Sequence, residues 1–308
     1  MIHSNMTMIT KIHLLGFHNL YHLNILLFIL FFVIYYFTTS GNLLLIVVVV
    51  KIRSLHSPMY IFLTQLSLSD LIMATSISPI LLRVLVDQQT TITFPGCLAQ
   101  FYFISASLAL ESLLLTVMSY DRYLAICNPL RYNTIMNYIF CIKLIFFTWL
   151  LSFSVILNHV LAISNLKFCS SNVIDHFFCD LSPLLELSCS DTYLVKTEVT
   201  ILTIPMAVFP FLFIITSYCY IICAILKMSS VTGRQKAFST CSSHLTVVSI
   251  YYGILLCTYM VPTQGQSLTA SKLLSLLYTV MIPLINPLIY SFRNNDIREA
   301  FHKTCSMH

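Results

Sequence analysis

Seven long apolar segments follow one another along this sequence, and they constrain its fold more than any other feature. They cover residues 25–50, 59–82, 97–126, 144–163, 199–226, 244–261 and 273–292. Each holds about 20 residues, which is what a helix needs to cross the hydrocarbon core of a bilayer. Helix is the expected form, because lipid offers no hydrogen-bond partner to an open backbone. The sequence therefore predicts an all-α membrane protein, a bundle of seven transmembrane helices.

Composition supports this class and leaves little room for another domain. Of the 308 residues, 58% are hydrophobic and 9% are charged, whereas a soluble domain carries about 25% charged residues. This balance excludes intrinsic disorder, a collagen-like chain and a small disulfide scaffold. We predict a single seven-transmembrane domain over residues 1–308. The net charge of +5 is modest and gives no reason to expect nucleic-acid binding.

The distribution of charge predicts how the chain crosses the bilayer. With the N-terminus outside, the inner segments hold 11 basic and three acidic residues, and the outer segments hold five basic and six acidic residues. Basic residues accumulate on the cytoplasmic side of membrane proteins. Residues 1–24 are therefore predicted to be extracellular and residues 293–308 to form a cytoplasmic tail, in a multi-pass protein of the plasma membrane.

The two termini carry further signals. Asn5 begins an Asn-x-Thr sequon for N-glycosylation, which would lie outside. In the tail, Ile297, Ala300 and Phe301 share one helical face, with basic residues on the others. This pattern predicts a short amphipathic helix on the inner leaflet after the seventh span; a frayed tail is the alternative. Palmitoylation of Cys305, beside basic residues, stays open.

The cysteines divide between the two sides of the membrane. Of the 11 cysteines, Cys97, Cys169, Cys179 and Cys189 fall in outer segments. The outer face is oxidising, and four cysteines allow three pairings. The other seven lie in spans or on the inner side, where we expect reduced packing residues.

Two acidic residues lie well inside predicted spans, Asp70 and Glu111. Charge at that depth is costly and points to function. Asn42 and Asn286 occupy other spans at a similar predicted depth, and carboxylates with amides would make an all-oxygen cage suited to a hard cation such as Na⁺. Protonation of one or both carboxyls by burial is the alternative. No other cofactor is predicted.

An acid and an arginine are adjacent where the third span reaches the cytoplasm, in the run Asp121-Arg122-Tyr123. An ion pair at a helix end can act as a breakable lock. A simple interfacial anchor is the alternative, because arginine extends its charge to the interface readily.

These residues belong to a series of motifs that resembles the rhodopsin-like G-protein-coupled receptors and, among them, the olfactory (odorant) receptors. The resemblance covers residues 14–294 at compatible spacing. The motifs are 41–42 (GN), 55–60 (LHSPMY), 66–70 (LSLSD), 118–127 (MSYDRYLAIC), 217–218 (SY), 236–245 (KAFSTCSSHL) and 283–294 (PLINPLIYSFRN). The run 176–180 (HFFCD) with 187–191 (LSCSD) resembles the tetrapod class II branch, which is associated with airborne volatiles. Ser119, Tyr251 and Phe292 are mild departures from the family pattern.

The resemblance implies a pairing for the outer cysteines and a role for the buried acids. Cys97 would pair with Cys179, tying the third span to the second outer loop. Cys169 would pair with Cys189 within that loop. Asp70 and Glu111 would hold the Na⁺ that favours the resting state.

The resemblance also implies an activation switch at the inner end. Arg122 would be released toward a heterotrimeric stimulatory G protein of the olfactory type, which raises cyclic AMP. Tyr218 and Tyr290 would rearrange with it, and Asn286-Pro287 would be the hinge of the seventh span. Location in the cilia of olfactory sensory neurons is implied in the same way.

A ligand site is expected in the outer half of the bundle. Placed by similarity, its wall would comprise Ile104, Ser105, Leu108, Ala109, Leu202, Thr203, Met206, Tyr252, Leu256, Tyr259, Leu276 and Thr279. This wall is apolar with a few hydroxyls. The third span has no acid above Glu111 to pair with an amine, and residues 273–292 contain no lysine for a retinal Schiff base. A small, neutral, weakly polar volatile odorant fits best.

Two other functional classes are possible for seven spans. A transporter or channel would want repeated halves with broken helices, or rings of pore charge, and the sequence shows neither. An intramembrane enzyme would want a catalytic motif such as HExxH or Gly-x-Ser-x-Gly, which is absent. The sequence therefore favours a receptor and not an enzyme.

Overall fold

The computed structural model describes residues 9–17, 23–169, 172–260 and 268–293, without the side chains of 236, 240, 259, 260, 268–270, 292 and 293. Within these residues, seven helical spans are long and apolar enough to cross a membrane, so the predicted fold class is confirmed. The helices are α1 (Asn24–Lys51), α2 (Pro58–Asp87), α3 (Phe94–Cys127), α4 (Pro129–Ile135), α5 (Tyr138–Ser164), α6 (Leu181–Glu186), α7 (Tyr193–Lys227), α8 (Val231–Met260), α9 (Leu268–Leu276) and α10 (Ile282–Arg293).

Several helices extend past the predicted apolar segments. The fifth helix begins at Tyr138 rather than at 144, and α8 begins at Val231 rather than at 244. Hydropathy marks only the part of a helix that lies in lipid. Polar helix ends continue beyond it because their backbone stays internally hydrogen-bonded, and local caps decide where they begin. The side chain of Asn137, for example, accepts a hydrogen bond of 2.9 Å from the backbone N–H of Phe140.

The third helix is the axis of the bundle. It presents buried residues from Cys97 at its outer end to Leu124 at its inner end. We call the end with Cys97 the outer end and the end with Asp121 the inner end. The largest apolar cluster fills the inner half and draws residues from every span. Two smaller clusters lie toward the outer end.

The seventh span combines α9, a π-helical segment (Leu277–Met281) and α10. Pro287 has no N–H, so the carbonyl of Pro283 one turn earlier lacks its usual helical donor. The side-chain amide of Asn42 in α1 donates to this carbonyl at 3.0 Å. Gly41 brings α1 close to Pro287, where an added Cβ would lie 3.6 Å from the proline ring. The first span therefore satisfies the backbone group that the proline frees.

A small sheet covers the outer end and was not predicted, since the sequence indicated only helices. Its strands are β1 (Lys11–Leu15), β2 (Gln89–Thr93) and β3 (Val173–Ile174), in the order β2-β1-β3. The first strand pairs antiparallel with β2 and parallel with β3. Ile12 and Leu14 of β1 are fully buried. We call residues 9–17, 89–93 and 172–180 the outer cap.

The outer cap is seated closely on the bundle. At Gly16 an added Cβ would lie 2.2 Å from a methyl carbon of Val84 in α2. Val84 is buried and β-branched, so it has little freedom to move aside. Glycine at position 16 is therefore needed for this close approach.

Three terminal predictions lie outside the described residues. They are the sequon at Asn5, the amphipathic helix in the tail that follows Arg293, and the state of Cys305. They stay predictions.

Candidate functional site

The predicted ligand wall meets the outer cap in one apolar cluster. Ile104 of α3 and Val280 of the π-helical segment are buried there with Phe177 and Phe178 of the cap. Leu276 packs against the same cluster. Only 2% of Ile104 is exposed. The two phenylalanines therefore cover this part of the predicted wall.

Hydroxyl groups form a polar floor one helical turn below Leu108, a partly buried residue of the predicted wall. The hydroxyls of Ser112 and Tyr252 lie 3.0 Å apart, and Ser112 also donates to the carbonyl of Met206 at 3.4 Å. That carbonyl is free because Pro210, four residues later, has no N–H to donate to it. Ser112 was missed in the sequence, although its place one turn below Leu108 on α3 was the available signal. The floor offers a hydrogen bond to a ligand that enters from above.

The remaining predicted wall residues lie in several environments. Thr279 is buried, and its hydroxyl donates to the carbonyl of Ser275 at 2.6 Å. Leu256 is 52% exposed, whereas Leu255 before it packs against the inner cluster. The side chain of Tyr259 lies outside the described residues. The partly buried members are Ser105, Leu108, Ala109, Leu202, Thr203 and Met206.

Both predicted disulfide pairings are present. Cys97 and Cys179 are bonded, with Cα atoms 5.5 Å apart, and so are Cys169 and Cys189, at 5.8 Å. The first bond fixes the cap to the outer end of α3, directly beside Phe178. It thereby holds the aromatic side chains of the cap over the predicted wall.

The cap contains a buried histidine with an unusual environment. The ring of His176 lies against Phe177 and Phe178, with centroids 4.7 and 4.6 Å away. Neither ring nitrogen has a hydrogen-bond partner among the described residues. Burial, and next the charge of Lys272, lower the pKa of His176 to about 3, against a smaller opposing effect of Asp175. His176 is therefore neutral while the cap is closed.

The two intramembrane acids meet at one amide in the middle of the bundle. The side-chain N–H groups of Asn286 donate to both oxygens of Asp70 at 3.2 Å and to Glu111 at 2.8 Å. Two buried carboxylates this close repel each other when both are ionised, so a proton or a cation is required between them. Among the described residues, Glu111 Oε2 and Asn42 Oδ1 are buried without a hydrogen-bond partner. Glu111 Oε2 is a donor atom that suits a hard cation. Asn42 donates instead to the carbonyls of Thr38 and Pro283, and no described contact joins it to either acid.

At the inner end, Arg122 is paired with its neighbour. Its guanidinium donates to Asp121 Oδ2 through Nη2 at 2.5 Å and through Nε at 3.1 Å. The Tyr132 hydroxyl of α4 donates to Asp121 Oδ1 at 2.7 Å. Burial, and next the charge of Asp121, raise the pKa of Tyr132, so the phenol stays a donor. A second side chain thus holds the acid in place for the arginine.

A histidine that the sequence interpretation missed links three spans above this pair. His244 Nε2 lies 3.1 Å from the carbonyl of Leu115, and Nδ1 lies 2.7 Å from the Tyr218 hydroxyl. A carbonyl can only accept, so the proton is on Nε2 and Tyr218 donates to Nδ1. The signal was available, because His244 is the histidine of the motif at 236–245. The predicted switch residue Tyr218 is therefore held through His244 to α3.

Comparison with known proteins decides the family. The family model for olfactory receptors matches residues 31–307. The chain is 44% identical to olfactory receptor 10A3 of Homo sapiens over 299 residues, which is 97% of this chain and 95% of that protein. It is 47% identical to olfactory receptor 13A1 of Homo sapiens over 81% of this chain and 76% of that protein. Olfactory receptor 1468 of Rattus norvegicus is 45% identical over 80% of this chain and 78% of its own.

The chain belongs to the olfactory receptor family.

Membership settles the functional class among the three considered from sequence. An olfactory receptor is a multi-pass membrane receptor rather than an enzyme, and the transporter or channel alternative is not favoured. The recognition made from the motifs is confirmed. The roles of individual side chains are not decided by membership and stay predictions.

Two predicted switch residues of this olfactory receptor lie apart from the hydrogen-bonded groups. Tyr123 packs edge-to-face on Tyr220 of α7, with ring centroids 6.0 Å apart. Tyr290 is buried, and its hydroxyl has no hydrogen-bond partner in the part of the chain that the structure describes. A buried, unpartnered hydroxyl is costly. A rearrangement that gives the Tyr290 hydroxyl a hydrogen-bond partner would therefore be favourable.

Acidification is expected to destabilise the closed cap of this olfactory receptor through His176. An exposed histidine has a pKa of about 6.5, so below that pH the open cap binds a proton that the closed cap excludes. The stability of the closed cap is complete above pH 6.5 and falls by about 2 kcal/mol at pH 5. We expect the thermal midpoint of the purified receptor to drop more between pH 7.4 and 5.0 than that of His176→Phe.

The phenylalanine variant is a matched control, since it keeps the ring and loses no hydrogen bond of His176 among the described residues. Other histidines titrate equally in both proteins, so the difference between the two drops isolates His176. Equal drops would contradict the prediction.

Proposed function

We propose that this receptor binds small, neutral, weakly polar volatiles in the outer half of the bundle and activates a stimulatory G protein that raises cyclic AMP. The observation that carries the proposal is the apolar wall around Ile104 and Leu276 above the hydroxyl floor of Ser112 and Tyr252. Such a site suits a compact apolar molecule with one hydrogen-bonding group. None of the twelve predicted wall residues carries a charge, which favours a neutral ligand over an ionic one.

The size of the ligand limits its affinity. A volatile has about 10 heavy atoms, and about 0.5 kcal/mol per atom lies within the usual range of ligand efficiency. The resulting −5 kcal/mol corresponds to a dissociation constant of order 0.1 mM. Responses in the micromolar to submillimolar range follow.

The inner end supports the signalling part of the proposal. Arg122 is held by Asp121, which Tyr132 holds in turn, and 12% of the arginine side chain is exposed. Activation would break this ion pair and turn the guanidinium toward the G protein. Tyr218 and His244 lie above the ion pair and would rearrange with it, around the hinge at Asn286-Pro287.

A sodium ion bound by Asp70 and Glu111 belongs to the same proposal. The unpartnered oxygen Glu111 Oε2 supports it, since it is a donor atom of the kind that Na⁺ takes. A bound cation would offset the repulsion of the two carboxylates and stabilise the resting arrangement around Asn286. The receptor would act at the plasma membrane, in the cilia of olfactory sensory neurons.

The test is cyclic AMP in cells that express this chain with an olfactory-type G protein and receive pooled volatiles. We expect a ligand-dependent rise that is lost in Arg122→Ala and kept in Arg131→Ala at equal surface amounts. Arg131 is a suitable control because it is an exposed arginine on the neighbouring helix α4. Silence toward every volatile below millimolar concentration, with the receptor at the surface, would count against the proposed ligand class. A response unchanged in Arg122→Ala would contradict the proposed switch.

A further inference from the structure

A ring of contacts joins the outer cap to the seventh span. Lys272 of α9 donates from Nζ to the carbonyl of Gly16 at 2.8 Å and pairs with Asp175 Oδ1 at 2.5 Å. Phe17, next to Gly16, stacks on Phe177, with ring centroids 5.7 Å apart. Phe177 in turn follows Asp175 by two residues. One ammonium group therefore binds two of the three cap segments, 9–17 and 172–180, beside the aromatic pair that they form.

The burial of Lys272 makes this contact unusual. Its side chain is 8% exposed, whereas that of Asp175 is 37% exposed. Lysine is almost never buried unless it is paired. Lys272 therefore depends on both partners in the cap, and the two segments are held to α9 through it. If the cap lifts, the ammonium and the carboxylate regain water at the outer end, so the contact can open and close reversibly.

The cap must move before a ligand can reach the part of the wall around Ile104 from the outer side. Phe177 and Phe178 share a cluster with Ile104, Leu276 and Val280, and Ile104 is 2% exposed. Packing of this kind closes this part of the wall off from the outer side. Opening of the cap from the outer side requires that the ring through Lys272 be broken.

We propose that Lys272 and Asp175 form a latch that holds the outer cap closed over the ligand wall and sets how often the cap opens. Lys272 is a positioning residue in this role: it acts through the cap. That the covered wall is a ligand site rests on the proposed function. The opening of the cap itself does not, and it is measured without a volatile or a G protein.

The experiment measures how fast a cysteine beneath the cap is labelled on intact cells. Leu276→Cys places a thiol one helical turn below Lys272, and a membrane-impermeant maleimide–biotin is the probe. We expect slow labelling in this background and about tenfold faster labelling when Asp175→Asn or Lys272→Met is added, because a charge-assisted hydrogen bond is lost. The receptor's other cysteines also react with the probe. Their signal is measured in the same latch variants with the native Leu276 and is subtracted. Equal labelling rates with and without the latch would overturn the proposal.

Matched variants separate the latch from general damage. Arg83 and Asp87 form an exposed ion pair at 3.9 Å at the same end of the bundle, so Arg83→Met is expected to leave the labelling rate unchanged. Lys272→Arg keeps the charge and is expected to keep labelling slow. The double variant of Asp175→Asn and Lys272→Met is expected to be no faster than the faster single variant. Fully additive rates would show that the two groups act separately and would overturn the latch.

Protein quantity is controlled by counting surface receptors with an antibody to an N-terminal tag. Asp175→Asn is the milder change because the side chain is partly exposed, so it carries the test if Lys272→Met fails to reach the surface. A latch that fails this test leaves the response to volatiles open. If labelling is slow and the latch variants accelerate it, but the receptor does not respond to volatiles, the latch is supported and the proposed ligand class is contradicted.

Discussion

Replacing Cys97 and Cys179 together by serine is expected to abolish delivery of the receptor to the cell surface. The bond joins residues 82 positions apart. In the chain-entropy model, closing a loop of that length stabilises the fold by about 4.5 kcal/mol. Total stabilities of proteins are about 5–15 kcal/mol, so the loss removes a large share. Both cysteines are fully buried, and the change also places two hydroxyls in an apolar cluster. Surface antibody counts and thermal unfolding of the purified receptor measure the effect.

Two other sets of cysteine substitutions serve as comparisons for this prediction. The Cys169–Cys189 bond joins residues 20 positions apart, so its removal is expected to cost less, about 3 kcal/mol. Cys257 is free and exposed, and Cys257→Ser is expected to leave the surface amount unchanged. If the double variant of Cys97 and Cys179 reached the surface as well as Cys257→Ser, the bond would not be needed to hold the cap.

The seven spans could be predicted because each one carries its own signal. An apolar run of about 20 residues has few alternatives to a membrane helix, whatever the rest of the chain does. The outer cap carries no such signal. Residues 11–15 form a strand only because β2 and β3 lie beside them, and these partners are about 80 and 160 positions away in the sequence. A strand of five residues with buried Ile12 and Leu14 is determined by its neighbours, not by its own pattern.

The candidate site shows the same division. Asp70, Glu111 and Asn286 could be predicted to meet, since polar groups at one depth of a bundle find each other. The contact of Lys272 with Asp175 could not, because both were counted only as outer charges. Ser112 and His244 were missed because neither is charged and each is partnered through a backbone carbonyl. Such contacts depend on how the helices are rotated, which hydropathy does not specify.

Replacing Asn286 by leucine is expected to destabilise the receptor by about 3–5 kcal/mol, the usual cost of leaving a buried charge without its partner. Leucine has a similar volume but no donor, so Asp70 and Glu111 would lose the amide that both share. We expect a low surface amount and a lower midpoint of thermal unfolding. Asn158→Leu is the matched control, because Asn158 is exposed on α5 and donates only to the carbonyl of Ser154 among the contacts described.

A second substitution tests whether repulsion between the acids causes the loss. Adding Glu111→Gln to Asn286→Leu removes one charge and leaves an amide that can donate to Asp70. If unpaired charge is the cause, the double variant should recover more than half of the lost stability. A double variant as unstable as Asn286→Leu would point to packing around the seventh span instead. An Asn286→Leu receptor as stable as the Asn158→Leu control would mean that the acids are already neutralised without the amide. The hydrogen bonds of Asn286 would then be incidental to the resting state.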